Sequence, residues 1–143
     1  MPTLSAAVAA SGSALTAERV RLEAAVSNLA NAESTRGADG KPYRRRDVVL
    51  QTADVASFDA ALGKAGAAVG VKVAAVVEDQ SAFKRRYEPS HPDADADGFV
   101  ELPNVDAAEE MVDMLSAARA YQANLTAIGL IKDLVQRSLD LGK

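Results

Sequence analysis

Every third or fourth residue near the start of the chain falls on one line: Leu4, Val8, Ser11, Leu15, Glu18, Leu22, Ala25, Leu29. Alternating steps of four and three are the spacing of a coiled-coil seam, and they predict a helix over residues 3–31. The residues between are helix formers, chiefly Ala, Leu, Glu and Arg. Gly12 is the soft spot, and Asn28, Asn31 and Gly37 mark where the helix ends. The same alternation returns at the other end of the chain in Met111, Met114, Ala118, Tyr121, Leu125, Ile128, Lys132, Val135 and Leu139. It predicts a second helix over residues 104–141, roughly 50 Å long at the α-helical rise. Pro103 stops the strand before it, and Asn104 or Asp106 is placed to cap it. Asp106, Glu109, Glu110 and Asp113 put negative charge at the positive end of the helix dipole. Val112, Leu115, Leu130, Ile131, Leu134 and Leu141 spread the apolar surface beyond a single seam.

Between the helices the period changes. Val-rich runs over residues 43–52 and 71–77 predict strands, with shorter strands at 82–87 and 98–102. Residues 54–70, rich in Ala and Gly, read as a short helix around Phe58 and Leu62 or as a mobile loop. The expectation is an α+β fold in three parts: an N-terminal helix (1–35), a β-rich middle segment (36–102) and a C-terminal helix (103–143). The terminal helices pair as an antiparallel coiled coil, since neither has a third helix to cover its stripe. Such a pair leaves apolar surface in water, and surface of that kind marks an interface. The pattern therefore predicts an assembly subunit whose helices are fully ordered only when neighbours cover them.

Composition sharpens this picture. Hydrophobic residues make up 48% of the 143, but 30 residues are alanine, aromatics are 4% and tryptophan is absent. Large side chains for a thick core are scarce. A net charge of -4 argues against nucleic acid as a partner. With no cysteine, disulfides, thiol catalysis and cysteine zinc sites are excluded, and the single histidine, His91, excludes a multi-histidine site within one chain. The first seventeen residues carry no charge, yet no Lys or Arg precedes them and no continuous apolar run forms. They do not read as a conventional signal peptide, and nothing approaches a membrane span.

Four features hold candidate chemistry. Asp93, Asp95, Asp97 and Gly98 imitate the start of a calcium loop, which gives an alternative reading as a small calcium-binding interaction module. Position twelve of that loop is Asn104 rather than Glu, and His91-Pro92 stands where a helix is needed. The bland reading is a polar turn with Gly98 at positive φ. Asn28 and Asn31 share a helix face and either cap the helix end or bond the backbone of a neighbouring subunit. Lys41 with Arg44, Arg45 and Arg46, and Lys84 with Arg85 and Arg86, form basic runs. They are either solvated strand faces or complements to the acidic helix start of an adjacent subunit. Arg119, Tyr121 and Gln122 interrupt the second helix's apolar surface as candidates for inter-subunit hydrogen bonds. No nucleophile elbow is present, and no enzyme is expected.

Three blocks of residues carry a resemblance. Ser27-Asn28-Leu29-Ala30-Asn31-Ala32-Glu33-Ser34-Thr35 resembles the N-terminal signature of the bacterial flagellar axial proteins: the rod, hook and hook-associated proteins. Tyr87-Glu88-Pro89-Ser90-His91-Pro92-Asp93-Ala94, with Gly98-Phe99-Val100 and Pro103-Asn104-Val105, is similar to the proximal-rod branch of that family. So is Glu110-Met111-Val112-Asp113-Met114, followed by Ala118-Arg119-Ala120-Tyr121-Gln122-Ala123-Asn124. Gly40-Lys41-Pro42-Tyr43-Arg44-Arg45 fits the segment after the first helix, whereas residues 54–70 depart from the pattern. The resemblance implies a structural subunit without cofactor or catalysis. It would be exported through the flagellar type III apparatus without a cleaved signal. It would assemble helically in the periplasmic space with copies of itself and other rod proteins, and would transmit torque from motor to hook. Subunit contacts are then expected at Leu4, Val8, Leu15, Leu22, Asn28, Leu29, Asn31, Arg44, Arg45 and Arg46. On the second helix they are expected at Met111, Met114, Leu115, Arg119, Tyr121, Gln122, Leu125, Ile128 and Leu139.

Overall fold

A computed structural model describes residues 4–37, 40–55 and 68–140, and at 54, 55 and 68 the backbone alone. The element order is α1 (Leu4–Ala30), β1 (Arg46–Val55), β2 (Ala68–Glu78), β3 (Lys84–Tyr87), β4 (Phe99–Leu102) and α2 (Ala107–Asp140). At 27 and 34 residues, the helices extend about 40 and 50 Å. They pack against each other, with the end of α1 beside the start of α2, so the pair is antiparallel. The α+β class expected from the sequence holds. No helix among the described residues is long and apolar enough to cross a membrane.

Two small sheets fill the middle of the chain, one of β1 and β2 and one of β3 and β4. The Asp79 N–H donates to the Arg45 carbonyl at 2.8 Å, tying the end of β2 to the start of β1. β3 and β4 are antiparallel, in a register that opposes Lys84 to Leu102 and Tyr87 to Phe99. Within residues 54–70, expected as helix or loop, 54–55 and 68–70 instead extend the two strands. The rest of that stretch lies outside the described residues.

The chain forms two compact units. One consists of Arg21–Val48 and Val76–Leu115. Its core is β4 and the residues just after it: Val100, Leu102, Pro103 and Val105, with Ala25, Asn28, Asn104 and Glu110 buried alongside. β4 alternates as a half-buried strand should, sending Val100 and Leu102 inward and Glu101 outward. Gly98 precedes it at φ +83°, in the left-handed region, with the Tyr87 ring and Pro89 packed where a β-carbon would sit. The other unit draws on Met1–Val20, Val49–Ala75 and Ser116–Lys143. There the Ser13 hydroxyl donates to the Ala10 carbonyl and accepts the Val71 N–H, which fastens β2 to α1.

The buried faces of the helices differ from the predicted ones. On α1 the fully buried side chains are Ala6, Ala17, Ala25 and Asn28; on α2 they are Glu110 and Ala117. Of the predicted α1 stripe only Ala25 is fully buried, while Val8, Leu15, Leu22 and Leu29 are half-buried and Leu4 is exposed. The predicted α2 stripe turns mostly outward, with Met111, Tyr121, Leu125, Val135 and Leu139 all exposed. Alanine at the seam lets two helix backbones approach closely, and the larger residues are left to the outside.

α2 is capped by Asp106, whose carboxylate accepts the Ala108 N–H at 2.9 Å and the Glu109 N–H at 3.3 Å. Asn104, the other candidate cap, accepts the Arg45 backbone N–H instead. At the end of α1, Asn31 turns its amide back to the Ser27 carbonyl at 2.8 Å, which satisfies a carbonyl of the last turn.

Candidate functional site

The polar residues of the first unit converge where the end of α1, the start of β1 and the start of α2 meet. Asn28 is the hub. Its amide nitrogen donates to the Arg46 carbonyl and to Glu110 Oε2, both at 2.9 Å. Its oxygen accepts the Arg46 N–H and the Tyr43 hydroxyl, also at 2.9 Å each. A carboxamide has two N–H donors and two acceptor lone pairs, so all four are used. The two bonds to Arg46 copy a strand ladder, so the side chain of a helical residue serves as the pairing partner that β1 lacks at its first residue.

Glu110 is 2% exposed and takes Arg45 Nε at 2.5 Å on its other oxygen. The same guanidinium reaches Asp47 at 2.7 Å and Asp113 at 3.6 Å. Burial works against the Arg45 charge, but the hydrogen bond to Glu110 and the field of three carboxylates outweigh it, and its pKa is raised. The Arg45 backbone N–H goes to Asn104 Oδ1 at 2.9 Å. The Asn104 amide in turn donates to the Asp79 carbonyl and the Ser81 hydroxyl. Among the described residues, no buried side-chain nitrogen or oxygen lacks a partner. A buried charge pair is tolerable only when completed in this way.

Arg45 and Asn28, each read from the sequence either as a local group (solvated strand face, helix-end cap) or as a contact with a neighbouring subunit, use their polar groups within the chain. Arg45 finds Glu110 and Asp113, as Lys84 finds Asp106 at 3.7 Å. Asn28 is buried and uses its whole amide internally. The segment after α1 folds back onto the start of α2, so Arg45 meets Glu110 and Asp113 of the same chain. Arg44 and Arg46 point elsewhere. Arg44 lies 4.4 Å over the Phe83 ring and donates to the Asp79 and Ser81 carbonyls, and Arg46 stands 5.6 Å from the Tyr43 ring.

The Asp93–Asp97 stretch is a turn. Asp95 Oδ1 accepts the Asp97 and Phe99 N–H groups while its other oxygen meets Arg85 at 2.7 Å. Its pKa is lowered, first by the Phe99 hydrogen bond. Asp93 is held by Arg36 at 2.7 Å and Thr35 at 2.8 Å. These carboxylates are spent on local partners, and no cluster suited to a metal occurs among the described residues. His91 accepts the Asp93 N–H at 3.1 Å, as a turn residue does.

Outside this polar hub, α2 presents an apolar face. Met111, Val112, Leu115, Leu125, Leu130, Leu134 and Leu139 are all about half exposed or more. Met114 and Ile128 are half-buried, and Arg119 and Gln122 point outward with Tyr121. Sequence reasoning does not single out Tyr43, Asn104 and Glu110 as one functional group. The usable signal is weak: an aromatic immediately before three arginines, and an Asn after a strand-ending Pro.

A family model described as flagellar basal body rod FlgEFG protein C-terminal matches residues 96–141. The chain is 49% identical over 132 residues to the flagellar basal-body rod protein FlgC of Salmonella typhimurium strain LT2, covering 92% of each chain. It is 44% identical to the protein of the same description from Bacillus subtilis strain 168, over 93% of this chain and 94% of that one. With the Agrobacterium fabrum strain C58 protein, also so described, the identity is 39% over 100% of this chain and 98% of the relative.

Proposed function

The chain belongs to the FlgC family of flagellar basal-body rod proteins, and we propose that it builds the proximal part of the rod by stacking its terminal helices with those of neighbouring subunits. It is a structural rod subunit, and its partners are other rod components. The observation that carries the mechanism is the placement of small and large side chains. Alanines fill the seam between α1 and α2, and leucines, valines and Met111 of α2 face outward. Burying one such side chain is worth about 1.5–3 kcal/mol, so a row of them along a helix of 34 residues gives strong lateral association. A subunit that offers unlike faces to its two neighbours assembles head to tail, and such contacts extend along an axis when the rotation does not close.

The buried polar hub supplies the stiffness that torque transmission asks of each subunit. It ties the segment after α1 to both helices through Asn28 and Glu110. We place the protein in the periplasmic rod, delivered through the flagellar export apparatus without a cleaved signal. Deletion of the gene, with complementation scored for swimming and electron microscopy of basal bodies, tests the assignment. The expected outcome is non-motile cells with basal bodies truncated at the rod; normal swimming and intact rods would falsify it. The calcium-module reading is not favoured, because Asp93 and Asp95 already hold arginines.

A further inference from the structure

Successive residues of an extended chain face opposite ways. Arg45 turns onto Glu110 of α2, and Arg44 and Arg46 turn to the other side. On that side a groove of about 490 Å³ runs past the turn after α1 and the end of β2. Lys41, Arg44 and Arg46 line it, together with Glu78 and with Arg36, which is paired with Asp93. Arg44 and Arg46 rest on aromatic rings and stand in no ion pair among the described residues. The opposite charge lies on the first turn of α2. There Glu109 is exposed and in no ion pair among the described residues, with Asp106 and Asp113 beside it only partly offset by Lys84 and Arg45.

We propose that this groove receives the first turn of α2 from a second copy of the chain, with Glu109 entering between Lys41 and Arg46. The inference rests on the reading as a rod subunit. The groove and the acidic turn are different surfaces of one molecule, so the contact is heterologous and passes from copy to copy. It sets register and partner choice through charge, and it weakens as salt is raised.

The absence of cysteine makes the test clean. Lys41→Cys and Glu109→Cys chains are produced together in cells lacking the native gene, and isolated basal bodies are treated with a short bismaleimide. The expected yield of dimers joining the two variants is about ten times that of Lys41→Cys with Asp97→Cys, a residue outside the contact. A yield no greater than that control, or linkage only between copies of one variant, overturns the proposal. Charge reversal supplies a second arm. Lys41→Glu with Arg46→Glu, and separately Glu109→Lys, should each slow swarm expansion about fivefold, and all three in one chain should restore at least about half. Failure of the triple variant to recover overturns the contact. Presence of the unsubstituted chain in basal bodies isolated from cells complemented with it reports separately on the rod assignment.

Discussion

Asn28 and Glu110 meet at 2.9 Å inside the molecule, although 82 positions separate them in the chain. The bond joins the last turns of α1 to the first turn of α2, and each residue also carries a piece of the segment entering β1: Asn28 the Arg46 backbone, Glu110 the Arg45 guanidinium. Removing either residue leaves those groups without that partner.

Asn28→Ala leaves the Arg46 backbone and one Glu110 oxygen without this partner and the Tyr43 hydroxyl with Ser27 alone. A loss of about 2–4 kcal/mol is expected, the range for a broken buried network. Urea unfolding followed by far-UV circular dichroism measures it. Asn28→Asp should be no better, because a carboxylate cannot donate to the Arg46 carbonyl and repels Glu110. A loss below about 0.5 kcal/mol would show that the hub does not hold the fold together.

For the ion pair, Glu110→Ala is expected to cost about 1.5–3 kcal/mol, the range for a lost hydrogen bond to a charged group, because Asp47 and Asp113 still face the Arg45 guanidinium. Arg45→Met combined with Glu110→Leu should cost clearly less than the two single changes added together. A double-mutant cycle reads this coupling, and strict additivity would contradict the pairing.

Acid should weaken the fold. Asp79, Asp95 and Asp106 all have pKa values below 3.8, held there first by backbone N–H groups of Ser81, Phe99 and Ala108 respectively. A folded pKa beneath the unfolded one gives stability that is present above the unfolded value and disappears as pH falls through the folded one. The midpoint of urea unfolding should therefore fall below about pH 4. In the Asp95→Asn, Asp106→Asn double variant that decline should be shallower. An unchanged acid limb would remove these residues from the account.

Two glycines should respond in opposite directions to alanine. Gly98 sits at φ +83° with a Tyr87 ring atom 2.9 Å from the position of the new carbon, so Gly98→Ala is expected to destabilise by about 1–3 kcal/mol. Gly12 lies within α1 with nothing within 4 Å, so Gly12→Ala should stabilise by about 0.5–1 kcal/mol. Thermal unfolding of the two variants beside the parent decides both signs.

Both helices, their ends and the Asp106 cap were legible because three-to-four periodicity and capping chemistry are local. The four strands were legible too, apart from the extension of β1 and β2 into residues 54–55 and 68–70. The buried faces were not. Pattern reading assumes that the largest apolar residues go inside, and here Ala6, Ala17, Ala25 and Ala117 do so while Leu125 and Leu139 stay out. A periodic stripe records that something covers it, without saying whether the cover is the same chain or a neighbour. The hub was hidden for a related reason: Arg45 is 65 residues from Glu110 and 59 from Asn104, and charge runs carry no address.

The alternation at Arg44, Arg45 and Arg46 ties two surfaces to one phase. Inserting a single residue between Arg44 and Arg45, inside the extended stretch, would bring Arg44 or Arg46 to the Glu110 side and send a different set of guanidinium groups outward, so the interior and the exterior charge pattern would change in one event. An insertion of two would restore both. Length variation in this extended stretch is thus constrained by parity, a restriction that no individual side chain imposes.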